Sequence, residues 1–262
     1  MLDKTFYKGV HGAIAAAHLV LAAVAAKAVS DGAWFQLSFP NAPASYTVNI
    51  NIAAAAVSVH AIAFIFHAGL TWRAASIIEQ YIAPDNANPL RWTMQIAVEG
   101  ISAAPVAIAI GMTDPVGVTA FAAASASVIG LCSIYDDALD REKPRESYAH
   151  TLAIVTAWAI GTMASCAALL STTLPAAVQT AVGAYFIVGA LPIMIQRVHI
   201  RYREQPPNPG DLEEDDDDGA LLEYALRDAR RGATYDALHA AAVAVRHAAA
   251  TWVVLKRVLH SN

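Results

Sequence analysis

Tyr235-Asp-Ala-Leu-His-Ala-Ala-Ala-Val-Ala-Val-Arg-His-Ala-Ala-Ala-Thr-Trp-Val-Val-Leu-Lys256 is an apolar stretch of membrane length with Arg246 at its centre. A charge at that depth in hydrocarbon is costly, so it points to a partner or a function. Read as the last helix of a bundle, the stretch makes Arg246 the mid-depth position at which a bound cofactor or an ion pair is to be sought.

Working outward, seven apolar stretches approach the roughly 20 residues that cross about 30 Å of hydrocarbon at 1.5 Å per residue. They lie near Gly9–Val29, Ile50–Thr71, Leu90–Met112, Val116–Ile134, His150–Leu170, Ala176–Val198 and Asp236–Leu255. The chain of 262 residues is 56% hydrophobic and 15% charged, too apolar for an ordinary soluble α/β domain. An all-α, multi-pass membrane protein is therefore expected, with the lipid bilayer as first partner and no nucleic acid. The net charge of −5 traces largely to one run, Asp211-Leu-Glu-Glu-Asp-Asp-Asp-Asp218. Cys132 and Cys166 both fall in apolar segments and read as buried small side chains.

The connections divide the chain. Spans one to six occupy 1–205, with a hairpin expected over 31–49, where alternating runs Trp34–Phe39 and Tyr46–Ile50 flank Pro40-Asn-Ala-Pro43. An acidic linker follows over 206–234 and the last span over 235–262. Within the linker, Ala220–Arg231 has helical spacing. The linker reads as a solvated segment, or as a docking site for a basic protein partner. Thirteen Lys and Arg fall on the side of the N-terminus, Arg91 among them, against Lys27, Lys256 and Arg257 on the other. The positive-inside rule then puts the N-terminus in the cytoplasm and the C-terminus on the opposite side. Pro105 and Pro192 are expected to kink helices three and six.

Arg91-Trp92-Thr-Met94-Gln-Ile-Ala-Val-Glu99 resembles the Arg-Trp-x-Glu-Tyr-Ser start of helix three in the heliorhodopsins, whose seven spans also begin inside. From His67 to about Asp137 the chain is similar to that family without a gap, with Gly111, Asp114, Ala124 and Ser125 in register. His18-Leu19 and Asp31 match a family His-Leu and Asp at equal separation, and His67 matches the helix-two His. The resemblance implies a seven-transmembrane, rhodopsin-like bundle, a homodimer and a photoreceptor ancestry.

Two positions depart from the family. Heliorhodopsins hold retinal as a protonated Schiff base on a helix-seven lysine, with a helix-three Glu as counterion. Met94 occupies the counterion position, and His247, or with one residue's slip Arg246, occupies that of the lysine. Neither imidazole nor guanidinium supplies the primary amine that a Schiff base needs. Lys256 is the only lysine in helix seven, and it reads as an interfacial, snorkelling side chain beside Arg257. Retinal is thus expected to be absent, with Lys256 as the attachment site on the opposing view.

Glu99 lies about 16 Å and Arg246 about 15 Å into their spans, so a pair across the former retinal site is expected, although Glu99 points some 140° away from Met94. His18 and His67, with His60 one heptad earlier, read as polar glue between helices or as a proton-responsive cluster. Three function classes follow: a retinal-free structural, regulatory or partner-binding protein; a retinal light sensor; and an ion or proton conductor using Glu99, Arg246 and the histidines. No nucleophile–base or metal-ligand spacing points to an enzyme.

Overall fold

A computed structural model of the chain describes residues 4–29, 33–39, 47–82, 89–140, 152–157, 159–161, 163, 171, 174–203 and 218–260. The turn at Pro40–Pro43, Asp31, Cys166, Arg141, Lys143, Arg145 and nearly all of the acidic run lie outside these residues, as does about half of the expected span His150–Leu170.

The molecule is mostly helical with one two-stranded hairpin. Helix α1 (Lys4–Val29) leads into β1 (Trp34–Ser38) and β2 (Thr47–Asn51), then α2 (Ile52–Trp72). The short α3 (Ala74–Ile77) and a π-helical turn over Ile78–Ile82 follow, then α4 (Pro89–Ala109) and α5 (Pro115–Asp140). Helices α6 (Ala176–Gly189), α7 (Leu191–Arg203) and α8 (Asp218–Leu259) complete the described chain. Residues 152–157 and 159–161 are also helical. Among the described residues, five segments are long and apolar enough to cross a membrane: Lys4–Val29, Ile52–Trp72, Pro115–Ile134, Ala176–His199 and Arg230–Leu259. Helix α4 has membrane length but is not among them; it carries Arg91, Gln95 and Glu99, all buried.

Local chemistry sets the junctions. The hairpin pairs antiparallel from Trp34 opposite Asn51 to Ser38 opposite Thr47. Its Leu37 is buried against the core, and Ser38 N–H donates to the Thr113 carbonyl at 2.9 Å, tying the hairpin to the α4–α5 turn. Asn51 Oδ1 accepts from Ala54 N–H at 3.0 Å and caps α2. At the end of α4, Gly111 takes φ +101°, and the paired bonds from Gly111 N–H to Ile108 and from Met112 N–H to Ala107 form a Schellman ending. Asp114 then caps α5 through the N–H groups of Val116 and Gly117.

Three sequence expectations change. The interruption in span six falls at Ala190, where Pro192 lacks the N–H that would bond one turn back, so α6 and α7 are separate helices. The helical spacing over Ala220–Arg231 does not belong to a linker separate from the last span: α8 runs unbroken for 42 residues from Asp218 to Leu259. Arg91, counted above among the loop cations, is 1% exposed. Its guanidinium faces an acid inside the bundle, and without it the charge asymmetry keeps its sign.

The directions of packing are read from side-chain pairs. His11 meets His67 and His18 meets His60, so α1 and α2 are antiparallel. Tyr7 meets Asp236 and His18 meets His247, so α1 and α8 run parallel at one constant offset. Arg91 meets Asp236 and Glu99 meets Arg246, so α4 is parallel to α8 as well.

The turn at Gly111 predicts opposite outcomes for two glycine substitutions. Gly111→Ala is expected to destabilise the protein by about 1–2 kcal/mol through its left-handed backbone alone, since a Cβ there meets nothing within 4 Å. Gly69→Ala, on the exposed side of α2 with equal room, is expected to stabilise by roughly 0.5–1 kcal/mol. Unfolding of both variants in detergent micelles measures this; a neutral Gly111→Ala contradicts the assignment of the turn.

Candidate functional site

The interior of the bundle is polar along one line, where α1, α2, α4 and α8 meet. Each residue on it is placed by helical periodicity. His11 and His18 are seven apart on α1, as are His60 and His67 on α2, so each pair lies on one face. Helix α4 presents Arg91, Gln95 and Glu99 at intervals of four. Helix α8 presents Asp236, His239, Arg246, His247 and Thr251 inward.

At one end of the line Arg91 Nη1 lies 2.6 Å from Asp236 Oδ1, and Tyr7 O–H donates to Asp236 Oδ2 at 2.8 Å. The Arg91 guanidinium also stacks between Trp92, 4.5 Å from its ring centroid, and Tyr235, at 5.0 Å. His11 Nε2 is 3.6 Å from the same carboxylate. Next come the paired imidazoles. His11 Nδ1 and His67 Nδ1 are 2.9 Å apart, and His18 Nδ1 and His60 Nδ1 are 2.8 Å apart, one ring donating and the other accepting in each pair. The His18 and His67 rings stack at 5.8 Å, and His18 lies 5.8 Å from His247. His60 Nε2 hydrogen-bonds Thr251 Oγ1 at 2.6 Å.

The second ion pair lies beside this ladder. Arg246 Nη2 is 2.6 Å from Glu99 Oε1, with side chains 9% and 1% exposed. Tyr185 O–H donates to the same Glu99 oxygen at 3.4 Å, and the guanidinium stands 5.4 Å above the Tyr185 ring. Gly189 of α6 borders the guanidinium: a Cβ there would sit 3.6 Å from Arg246 Cζ, in ordinary van der Waals contact. Burying two charges is repaid only by close geometry and further hydrogen bonds. Tyr185 supplies one of these.

The remaining candidates fall elsewhere. Met94 is half-buried, whereas Gln95, one residue on, is buried and has no hydrogen-bond partner for its amide. His247 is buried with both ring nitrogens unpartnered and borders a small cavity lined by Ser102, Pro105, Ala250 and Thr251, with room for about one water. Lys256 is half-buried in the last turn of α8, ten residues or about 15 Å beyond Arg246. Lys27 is exposed. The sequence reading grouped His18 with His67, but the hydrogen-bond partner of His67 is His11, which it left out. It also left out Tyr7, Tyr185 and Asp236. The i, i+7 histidines on both of the first two spans were the signal for His11; nothing in the spacing marked Tyr185.

Among the described residues no three or more His, Cys, Asp or Glu side chains are grouped to hold a metal ion. Chemically the arrangement holds two ion pairs and hydrogen-bonded protons in a buried interior. Comparison with protein-family profiles and with curated proteins returns no match.

The Glu99–Arg246 geometry predicts a non-additive pair. Arg246→Gln, which strands the Glu99 carboxylate in the core, is expected to cost about 3–5 kcal/mol. Arg246→Gln combined with Glu99→Gln is expected to cost less than the single change. Denaturant unfolding of both variants in micelles decides it: equal stabilities mean that the two side chains are not coupled.

Proposed function

We propose that this chain is a heliorhodopsin-like membrane protein that works without Schiff-base retinal, in a structural, regulatory or partner-binding role. The observation that carries this reading is the 2.6 Å contact between Arg246 and Glu99. A heliorhodopsin sets a positive Schiff base on helix seven against a carboxylate on helix three. This chain sets a guanidinium on its last helix against a carboxylate on α4. The charges have the same signs on the same helices, but the cation cannot be condensed with an aldehyde.

Packing direction supports seven crossings. Helix α5 returns against α4, since Gly100 faces Ala126 and Gly130 faces Ile96. Helices α6 and α7 run against α8, since Tyr185 meets Arg246 and His199 stacks on Tyr235 at 4.0 Å. With α4 and α8 parallel, α5 and α6 run the same way. The chain therefore ends α5 and begins α6 at opposite ends of the bundle, with the helical residues 152–157 and 159–161 between them. On this reading the N-terminus is cytoplasmic, the protein is a homodimer, and the acidic segment before α8 is where a partner docks.

The space around the former lysine position also favours the retinal-free reading. Tyr185, the guanidinium of Arg246 and the ring of His247 fill it, and the cavity beside His247 admits about one water. Purified protein expressed with all-trans retinal is expected to have no visible absorption band that hydroxylamine bleaches. A band that bleaches, and that Lys256→Ala abolishes, would replace this proposal with the light-sensor reading.

A further inference from the structure

A small cavity lies between α2, α4 and α8, just beyond the Glu99–Arg246 pair. Val59 of α2, Ser102 and Pro105 of α4, and His247, Ala250 and Thr251 of α8 help to line it, and it has room for about one water. Ser102 follows Glu99 by three residues and Thr251 follows Arg246 by five, so the cavity lies at the next level of the α4–α8 contact. Direct ion pairs join the two helices at Arg91 with Asp236 and at Glu99 with Arg246. At the cavity the polar side chains of α4 and α8 face each other with no direct bond: Ser102 is hydrogen-bonded within its own helix, and His247 to nothing.

The hydrogen-bonding capacity left over at the cavity is specific. His247 is 1% exposed, and neither ring nitrogen has a partner. A neutral imidazole carries one N–H donor and one bare nitrogen acceptor, and leaving both unmade in a core is unfavourable. Ser102 is buried too. Its O–H donates to the Glu99 carbonyl at 3.0 Å, which leaves the oxygen free to accept. Thr251 Oγ1 lies 2.6 Å from His60 Nε2 and has a further bond to make in either tautomer. If its O–H goes to His60, the oxygen can still accept; if it accepts from His60, the O–H remains to give. Pro105 in the same wall has no N–H to offer the Ile101 carbonyl one turn back.

We infer that this cavity is a binding site for a single ordered water, which bonds a His247 ring nitrogen, donates to Ser102 Oγ and meets Thr251 Oγ1, and so joins α4 to α8 at the level beyond their two ion pairs. The size of the cavity excludes larger ligands. An ion is excluded by the wall, because no charged side chain lines it and three neutral groups do not replace a hydration shell. An apolar guest would fill the space and leave the His247 nitrogens unmade. Water brings two donors and two acceptors, and a buried water makes about three hydrogen bonds. The same molecule connects His247 to the hydrogen-bonded series of His18, His60 and Thr251, and holds its ring in one orientation.

A crystal structure of the full chain grown from a lipidic mesophase, at a resolution that shows ordered solvent, tests the site. One solvent peak is expected within about 2.6–3.2 Å of a His247 ring nitrogen, Ser102 Oγ and Thr251 Oγ1. No peak there, or a His247 ring turned onto a protein partner, would overturn the inference. Thermal unfolding in micelles gives a second reading. Val59→Ile adds a methylene to the cavity wall, where it competes with the water. It is expected to lower the unfolding midpoint by about 2–4 °C in the unmodified protein, and to lower it less or raise it in a His247→Leu background, where no ring nitrogen needs a partner. Equal shifts in the two backgrounds mean that His247 holds nothing in the cavity, and sink the proposal. The crystal structure decides alone if His247→Leu does not fold.

Discussion

Charge neutralisation between α4 and α8 is the constraint on which the interior depends. An arginine or a carboxylate in a dry core needs an opposite charge at contact distance. The two helices satisfy this twice: Arg91 with Asp236 and Glu99 with Arg246, each at 2.6 Å. The order of signs matters as much as the pairing. Along α4 the sequence is positive then negative, and along α8 it is negative then positive. Sliding one helix to the next level sets like charges together, so the pairs fix register as well as direction. Such repulsion against the wrong arrangement is how specificity is secured where apolar contacts alone would tolerate slippage.

Helix α1 follows from that register. Tyr7 reaches the carboxylate that Arg91 already holds, and from this anchor the constant offset brings His18 beside His247. Helix α2 then has one antiparallel placement in which both of its buried histidines find the histidines of α1. The polar line thus lies between two apolar regions. A small cluster of Tyr7, Leu70, Ile78 and Ala233 covers one end, and the large core under the hairpin covers the other.

Much of the architecture was legible in the chain. Apolar length marked five of the helical segments, and alternation around proline and asparagine marked the hairpin. Arg246 demanded a partner on energetic grounds, and a rise of 1.5 Å per residue put Glu99 at its depth. Less legible was Arg91. A cation near the start of a span reads as interfacial, since spacing cannot tell a snorkelling side chain from one turned inward.

Sequence by itself determined the periodicities: membrane-length apolar runs, histidines seven apart on each of the first two spans, and charges placed at matched depth. These follow from local rules, the helical repeat and the cost of charge in hydrocarbon, which act along one segment at a time. Tertiary structure alone decided the partners. That His67 meets His11, that Tyr185 joins Glu99, that Asp236 takes both Arg91 and Tyr7, and that α8 continues unbroken from Asp218 all depend on which helices are neighbours and in which direction they run. Those relations are set by packing between segments far apart in the chain, and no repeat within a segment encodes them.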